Sequence, residues 1–331
     1  MANAVPKPIY VLTGFLGSGK TTLLNRLLRK QSFANTLVIV NEFGEVALDH
    51  LLVEKSSDTI LELSNGCLCC SIRGELIDTL KELDTDSFDR IIIETTGIAD
   101  PMPIFQSLAA FADLTKLYKP ASIITVYDAL RGAALIEKHD EAYRQMLMAD
   151  VIVVTKLDQV KEDHNVRESI SALNSNALIV EDVEEISPKQ LDAIGHFDYQ
   201  DHAAHPEHAQ QYYSTVWKSE NRLSLNLVAG MLHHLSNVLG DDLLRIKGFV
   251  NLDDENSEPV LVQMSGYVLH EFSAAEKVPD EFSETKLVVI TKGNHRQTVQ
   301  ALFNSFAGSP EIDTPDRNAI MDNPLAIPGM G

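Results

Sequence analysis

"IYVLTGFLGSGKTTLLNRLLRK", residues 9–30, joins a β-rich apolar run to a helical one through a loop, residues 14–21, that fits G-x-x-x-x-G-K-[ST]. Such a loop leaves the carboxyl end of a strand and opens a helix, so one stretch predicts both a parallel α/β sheet and where its ligand sits. Gly14, Gly17 and Gly19 let successive backbone N–H groups turn towards phosphate oxygens, and the helix N-terminus adds a favourable dipole. Lys20 is expected to reach the β and γ phosphates and Thr21 to offer its hydroxyl to Mg²⁺, with Ser18 and Thr22 completing the phosphate-binding set. A glycine-rich turn without a ligand is the bland alternative. The complete motif, in its strand and helix context, weighs against it.

Working outward, "TLVIVNEF" (36–43), "RIIIETT" (90–96), "SIITVYD" (122–128), "DVIVVTK" (150–156) and "ALIVE" (177–181) are continuous Val/Ile-rich runs, the pattern of strands buried on both faces. Helical stretches such as "GELIDTLKELD" and "EDHNVRESISALN" alternate with them. Residues 1–194 therefore read as a doubly wound α/β domain built around the phosphate loop. Residues 195–211 read as a histidine-bearing linker, 212–308 as a second, smaller α+β domain, and 309–331, with four prolines and no period, as a loose tail. In the second domain "LNLVAGMLHHLSNVLG" is expected to be a helix, "LRIKGFVNL", "EPVLVQMSGYVLHEF" and "TKLVVITKG" strands, and "RQTVQALFNSFA" the closing helix.

The composition excludes some partners. A hydrophobic content of 44% over 331 residues supports a core in each of two domains. With 27 Lys and Arg against 48 Asp and Glu, a net charge of −21, the chain would repel a nucleic-acid backbone. No apolar run approaches the ~18–20 residues of a membrane span, and the first residues look unlike a leader, so a soluble cytoplasmic protein is expected.

"TKLD" (155–158) ends the strand "DVIVVTK", where a parallel sheet presents its binding loops. It resembles the guanine-reading element of P-loop GTPases. Asp158 would accept from the base N1–H and exocyclic amine, the Lys156 stem would lie along the ring, and Thr155 stands where Asn is usual. A surface Lys/Asp pair is the alternative when the tetrapeptide is taken alone. An ATP-dependent kinase on the same fold would make it accidental. "IIIETTG" (91–97) looks like a metal-contacting strand end and its switch glycine: Glu94 is expected near the Mg²⁺ shell, and Gly97 N–H near the γ-phosphate. In "NEFGEVALD" (41–49), Glu42, Glu45 and Asp49 are candidates for Mg²⁺ or water contact, and a solvated loop face accounts for them equally well.

All three cysteines of the chain, Cys67, Cys69 and Cys70, lie in "NGCLCC" (65–70). In a reducing compartment a tight odd-numbered cluster favours metal or redox chemistry over a disulfide framework. Three thiolates suit Zn²⁺, Cu(I) or Co²⁺, fall short of four-cysteine iron–sulfur ligation, and leave a position open through which an ion can be handed on. Alternation along an extended chain turns Cys70 away from the other two, so binding by all three needs a turn, which Gly66 permits. Small buried hydrophobes or a redox pair are the competing readings. His196, His202, His205 and His208 of the linker could collect Zn²⁺, but no spacing forces them to converge, and solvated histidines are the simpler reading.

"GFLGSGKTT", "NEFGE", "NGCLCC", "ETTG" and "TKLD", in that order, with "RIKGFV" (245–250) beyond them, resemble the CobW-like family of P-loop GTPases, also described as zinc chaperones or metallochaperones. The resemblance implies a Mg²⁺-dependent GTPase that binds a transition metal at its C-x-C-C motif and delivers it to a client metalloprotein, with GTP hydrolysis driving release. Zinc is the leading ion. Cobalt handling in cobalamin synthesis is the alternative within the family, and a regulatory GTPase with redox-sensing cysteines is the alternative outside it. The chain departs from some members in having Val40 before "NEFGE" and no histidine in 101–120. Neither the client nor the oligomeric state is readable.

Overall fold

The computed structural model describes residues 5–41, 60–63, 71–160, 164–192, 212–253, 259–269, 272–274 and 284–308. Seven strands, β1 (Lys7–Thr13), β2 (Thr36–Asn41), β3 (Ile60–Leu63), β4 (Arg90–Glu94), β5 (Tyr118–Asp128), β6 (Val151–Thr155) and β7 (Leu178–Val180), form a parallel sheet in the order β3-β2-β4-β1-β5-β6-β7. Helices α1 (Lys20–Leu28), α2 (Ser71–Glu82), α3 (Met102–Ala110), α4 (Ala112–Thr115), α5 (Gly132–Lys138), α6 (Asp140–Met148), α7 (His164–Leu173) and α8 (Pro188–Asp192) accompany it. β1 lies mid-sheet between β4 and β5, pairing Val11 with Ile93 on one side and Ile123 on the other. Ile9, Tyr10, Val11 and Leu12 are all 0% exposed, because the sheet is covered on both faces. Ile9 and Val11 join the cluster holding Leu76, Phe105 and Met146, whereas Tyr10 and Leu12 join Leu23, Leu24 and Leu191. The doubly wound architecture expected from the continuous Val/Ile runs is the observed one.

The second sheet contains β8 (Tyr212–Ser219), β9 (Leu243–Val250), β10 (Val260–Ser265), β11 (Val268–Leu269) and β13 (Thr285–Lys292) in the order β11-β10-β9-β13-β8, with β12 (Ser273–Ala274) pairing with β10. Its ladders are antiparallel, and α9 (Leu225–Leu239) and α10 (Arg296–Ala307) cover one face. Ser224 caps α9 by accepting from Leu227 N at 3.2 Å, and Val228, Met231, Leu232, Leu235 and Leu239 form its buried stripe at helical spacing. "EPVLVQMSGYVLHEF" is not one strand: Gly266, at φ 57°, lies in a two-residue turn that folds β11 back onto β10, pairing Ser265 with Val268.

β13 shows how the domains meet. Leu287 and Val289 pack with α9 and α10, while Val288 and Ile290 join the core of the first domain. Asp150, immediately before β6, is buried with two cations from β9. The Arg245 guanidinium donates to both carboxylate oxygens at 2.8 Å, the Lys247 ammonium donates to Oδ1 at 2.5 Å, and Arg245 also donates to Met148 O. Burial alone would raise the Asp150 pKa, but the two cations hold it below the ordinary carboxylate range. "RIKGFV" is therefore an inter-domain contact, fastened to the strand that ends in "TKLD".

Candidate nucleotide-binding site

The loop after β1 is built from backbone that only glycine adopts freely. Gly14, Gly17 and Gly19 have φ of 140°, 71° and 100°, and a Cβ on Gly14 would stand 2.5 Å from Val126 O. Lys20 Nζ donates to Gly14 O at 3.0 Å, arching its side chain over the loop it follows. Thr21 Oγ1 donates to Glu94 Oε1 at 2.9 Å, joining the first turn of α1 to the end of β4. Glu94 is buried, Ser18 is buried with no protein partner for its Oγ, and Thr22 is exposed. A hydroxyl beside a buried carboxylate is a hard-oxygen donor pair that fits Mg²⁺.

Gly97 follows in a turn pressed against the loop, where a Cβ would stand 2.6 Å from Leu16 Cδ2. The turn is held from behind by α6. Gln145, 1% exposed, donates from Nε2 to Ala99 O at 2.9 Å and Gly97 O at 3.3 Å. Its neighbour Arg144 pairs with Asp100 at 2.6 Å and lies over the Tyr212 ring, at the start of β8.

β6 brings the third segment alongside. Thr155 Oγ1 lies 2.7 Å from Ser18 O and 3.1 Å from Tyr127 O, joining the end of β6 to the phosphate loop and to β5. Lys156, at φ 60°, donates from Nζ to Gly17 O at 2.8 Å and to Asp128 Oδ2 at 2.7 Å. Asp158 is exposed on the short 3₁₀ turn Leu157–Gln159. Asp128 and Gln145 were not singled out from sequence. Asp128 had a visible signal, an acid closing the apolar run "IITVYD"; nothing in the sequence around Gln145 marks it.

The geometry thus brings Gly14, Gly17, Ser18, Gly19, Lys20, Thr21, Glu94, Gly97, Thr155 and Lys156 to neighbouring strand ends, with Asp158 on the adjoining turn. Glu42, Glu45, Asp49, Cys67, Cys69, Cys70 and the four linker histidines lie outside the described residues. Among the described residues no group of three or more His, Cys, Asp and Glu is placed to share a metal ion.

Residues 8–181 match the family described as CobW/HypB/UreG, nucleotide-binding domain. This chain belongs to the CobW/HypB/UreG family. Its residues 212–307 match a second description, the cobalamin synthesis protein cobW C-terminal domain, as "RIKGFV" led one to expect. Among family members, the chain is 39% identical to zinc chaperone YjiA of Escherichia coli over 178 residues, 52% of this chain and 56% of YjiA. It is 28% identical to zinc chaperone CobW of Pseudomonas aeruginosa over 334 residues, 88% of each protein. The crystal structure of Zn(II)-bound YjiA GTPase from E. coli superposes with a TM-score of 0.64 at 25% identity, covering 92% of this chain and 99% of that one. Among the described residues no helix is long and apolar enough to cross a membrane.

Proposed function

We propose that the chain is a GTP-hydrolysing metal chaperone that carries zinc on Cys67, Cys69 and Cys70 and passes it to a client metalloprotein in the cytoplasm. The observation that carries the nucleotide half is the convergence of a phosphate loop, an acid at Thr21 and a "TKLD" loop fastened to Ser18 and Gly17. In this reading Gly14–Thr22 wrap the phosphates. Lys20 exchanges its bond to Gly14 O for a phosphate oxygen, Thr21 and Glu94 hold Mg²⁺, and Gly97 offers its N–H to the γ-phosphate. Mg²⁺ supplies charge neutralisation on the phosphate oxygens. Asp158 selects guanine, since an adenine edge offers no matching donor pair. The cargo half rests on three clustered thiols and on relatives named zinc chaperones.

The proposal separates two nucleotide states by their metal affinity. Titration of reduced protein with Co²⁺ as a spectroscopic probe should show thiolate charge-transfer absorption and tighter binding with Mg²⁺ and a non-hydrolysable GTP analogue than with GDP; by linkage the metal should tighten the analogue. Cys69→Ala should remove most of that signal while GTP still binds. Equal metal affinity in both states, unchanged by Cys69→Ala, would leave the cysteines as redox sensors on a regulatory GTPase.

A further inference from the structure

Asp128 closes β5 beside the phosphate loop, with a side chain only 1% exposed. Its carboxylate is fully engaged. Oδ1 accepts from Leu130 N at 3.0 Å and Arg131 N at 3.2 Å, and Oδ2 accepts from Lys156 Nζ at 2.7 Å and Arg131 Nε at 3.0 Å. Both cations reach on to a single atom: Gly17 O takes Lys156 Nζ at 2.8 Å and an Arg131 guanidinium nitrogen at 3.3 Å. Burial favours the neutral acid, yet the bonds from Lys156 and Arg131 hold the Asp128 pKa below its ordinary value. A buried carboxylate with four donors is a fixed point, whereas Lys156 is a long side chain on a turn with left-handed backbone.

We infer that Asp128 is the positioning residue for base recognition: by holding the Lys156 ammonium it sets the turn that presents Asp158, and so governs the preference for guanine. This rests on the GTP reading above. The residue touches no nucleotide in this role; it acts through Lys156, two positions before the base-reading carboxylate. A lysine released from Asp128 would keep only its bond to Gly17 O and regain much of its rotamer freedom, loosening the 156–158 turn. The phosphate loop would keep its own internal bonds.

The experiment measures GDP and ADP affinities of the full chain by calorimetry, with Mg²⁺ present. Wild type should prefer GDP; equal affinities there would sink the GTP reading itself, and this inference with it, before any variant is made. Asp128→Asn keeps an oxygen for the Leu130 and Arg131 amides but loses the charge that holds Lys156. GDP should weaken about tenfold, the loss of one charge-assisted bond, with ADP changed by less than about twofold. In a Lys156→Met background, Asp128→Asn should weaken GDP no further, because the two substitutions break the same tether. Equal losses for GDP and ADP would make Asp128 a scaffold residue of the phosphate loop, and no loss would leave it without a positioning role; either overturns the inference. If Asp128→Asn does not fold, Asp128→Glu, which keeps the charge but shifts the carboxylate away from Lys156 Nζ, decides between a GDP-selective loss and an equal one.

Discussion

At the scale of single residues, the nucleotide site depends on short bonds between strand ends. Lys20→Ala removes the one ammonium following the loop, and nucleotide binding should be lost in a fluorescent-nucleotide titration. Asp158→Asn should weaken GTP far more than ATP, because an amide cannot accept both guanine donors; equal losses would show that the turn does not read the base. Thr155→Val keeps the shape and removes the hydroxyl that bridges Ser18 O and Tyr127 O. One such bond contributes about 1 kcal/mol, so GDP affinity should fall about fivefold with little change in melting temperature. Their positions at neighbouring strand ends were legible because a phosphate loop has fixed glycine and lysine spacing and "TKLD" directly follows a Val/Ile-rich strand. Asp128 was not, because its importance comes from partners 3 and 28 positions away that only the fold brings together. The cysteines and switch acids remain sequence expectations, since they lie outside the described residues.

At the scale of elements, the strands announced themselves and several helices did not. Val/Ile runs buried on both faces carry an unambiguous signal, whereas α3, "MPIFQSLAA", is apolar on most positions and has no polar face to give it a period. The four-residue β3 is at the shortest length at which a strand pattern can be read. α6 illustrates what this hides. Its Gln145 supplies the donors for the carbonyls of Gly97 and Ala99, so a helix with no motif of its own shapes the turn expected to meet the γ-phosphate. Gln145→Leu would leave those carbonyls buried without that donor, at a cost of about 1–3 kcal/mol. The turn should then relax away from the loop. GTP turnover should fall by about tenfold or more while GDP affinity stays within about twofold, measured by phosphate release and nucleotide titration. A parallel fall in GDP affinity would show that Gln145 supports the phosphate loop rather than the turn.

At the scale of the whole molecule, the domains share a core and a buried ion cluster with two cations for one anion. Asp150→Asn would strand Arg245 and Lys247 in the interior and should cost about 3–5 kcal/mol in a urea unfolding experiment. Lys247→Met leaves one cation on one carboxylate, so it should be near neutral or stabilising. The cluster also predicts a pH dependence with opposite ends. Asp150 is held below the ordinary carboxylate range, so its stabilisation is complete above the unfolded value near 4 and is lost as pH falls through the lower folded value. Burial pushes Lys247 down as well, from 10.5 to about 8, against the opposing pull of Asp150. Between about 8 and 10.5 the unfolded chain binds a proton that the folded chain has released, so in that window stability rises with pH. Wild-type protein should therefore gain melting temperature relative to Lys247→Met as pH is raised through this window. A flat difference between the two would mean that the Asp150 carboxylate keeps Lys247 charged throughout, with the inter-domain contact insensitive to alkaline pH.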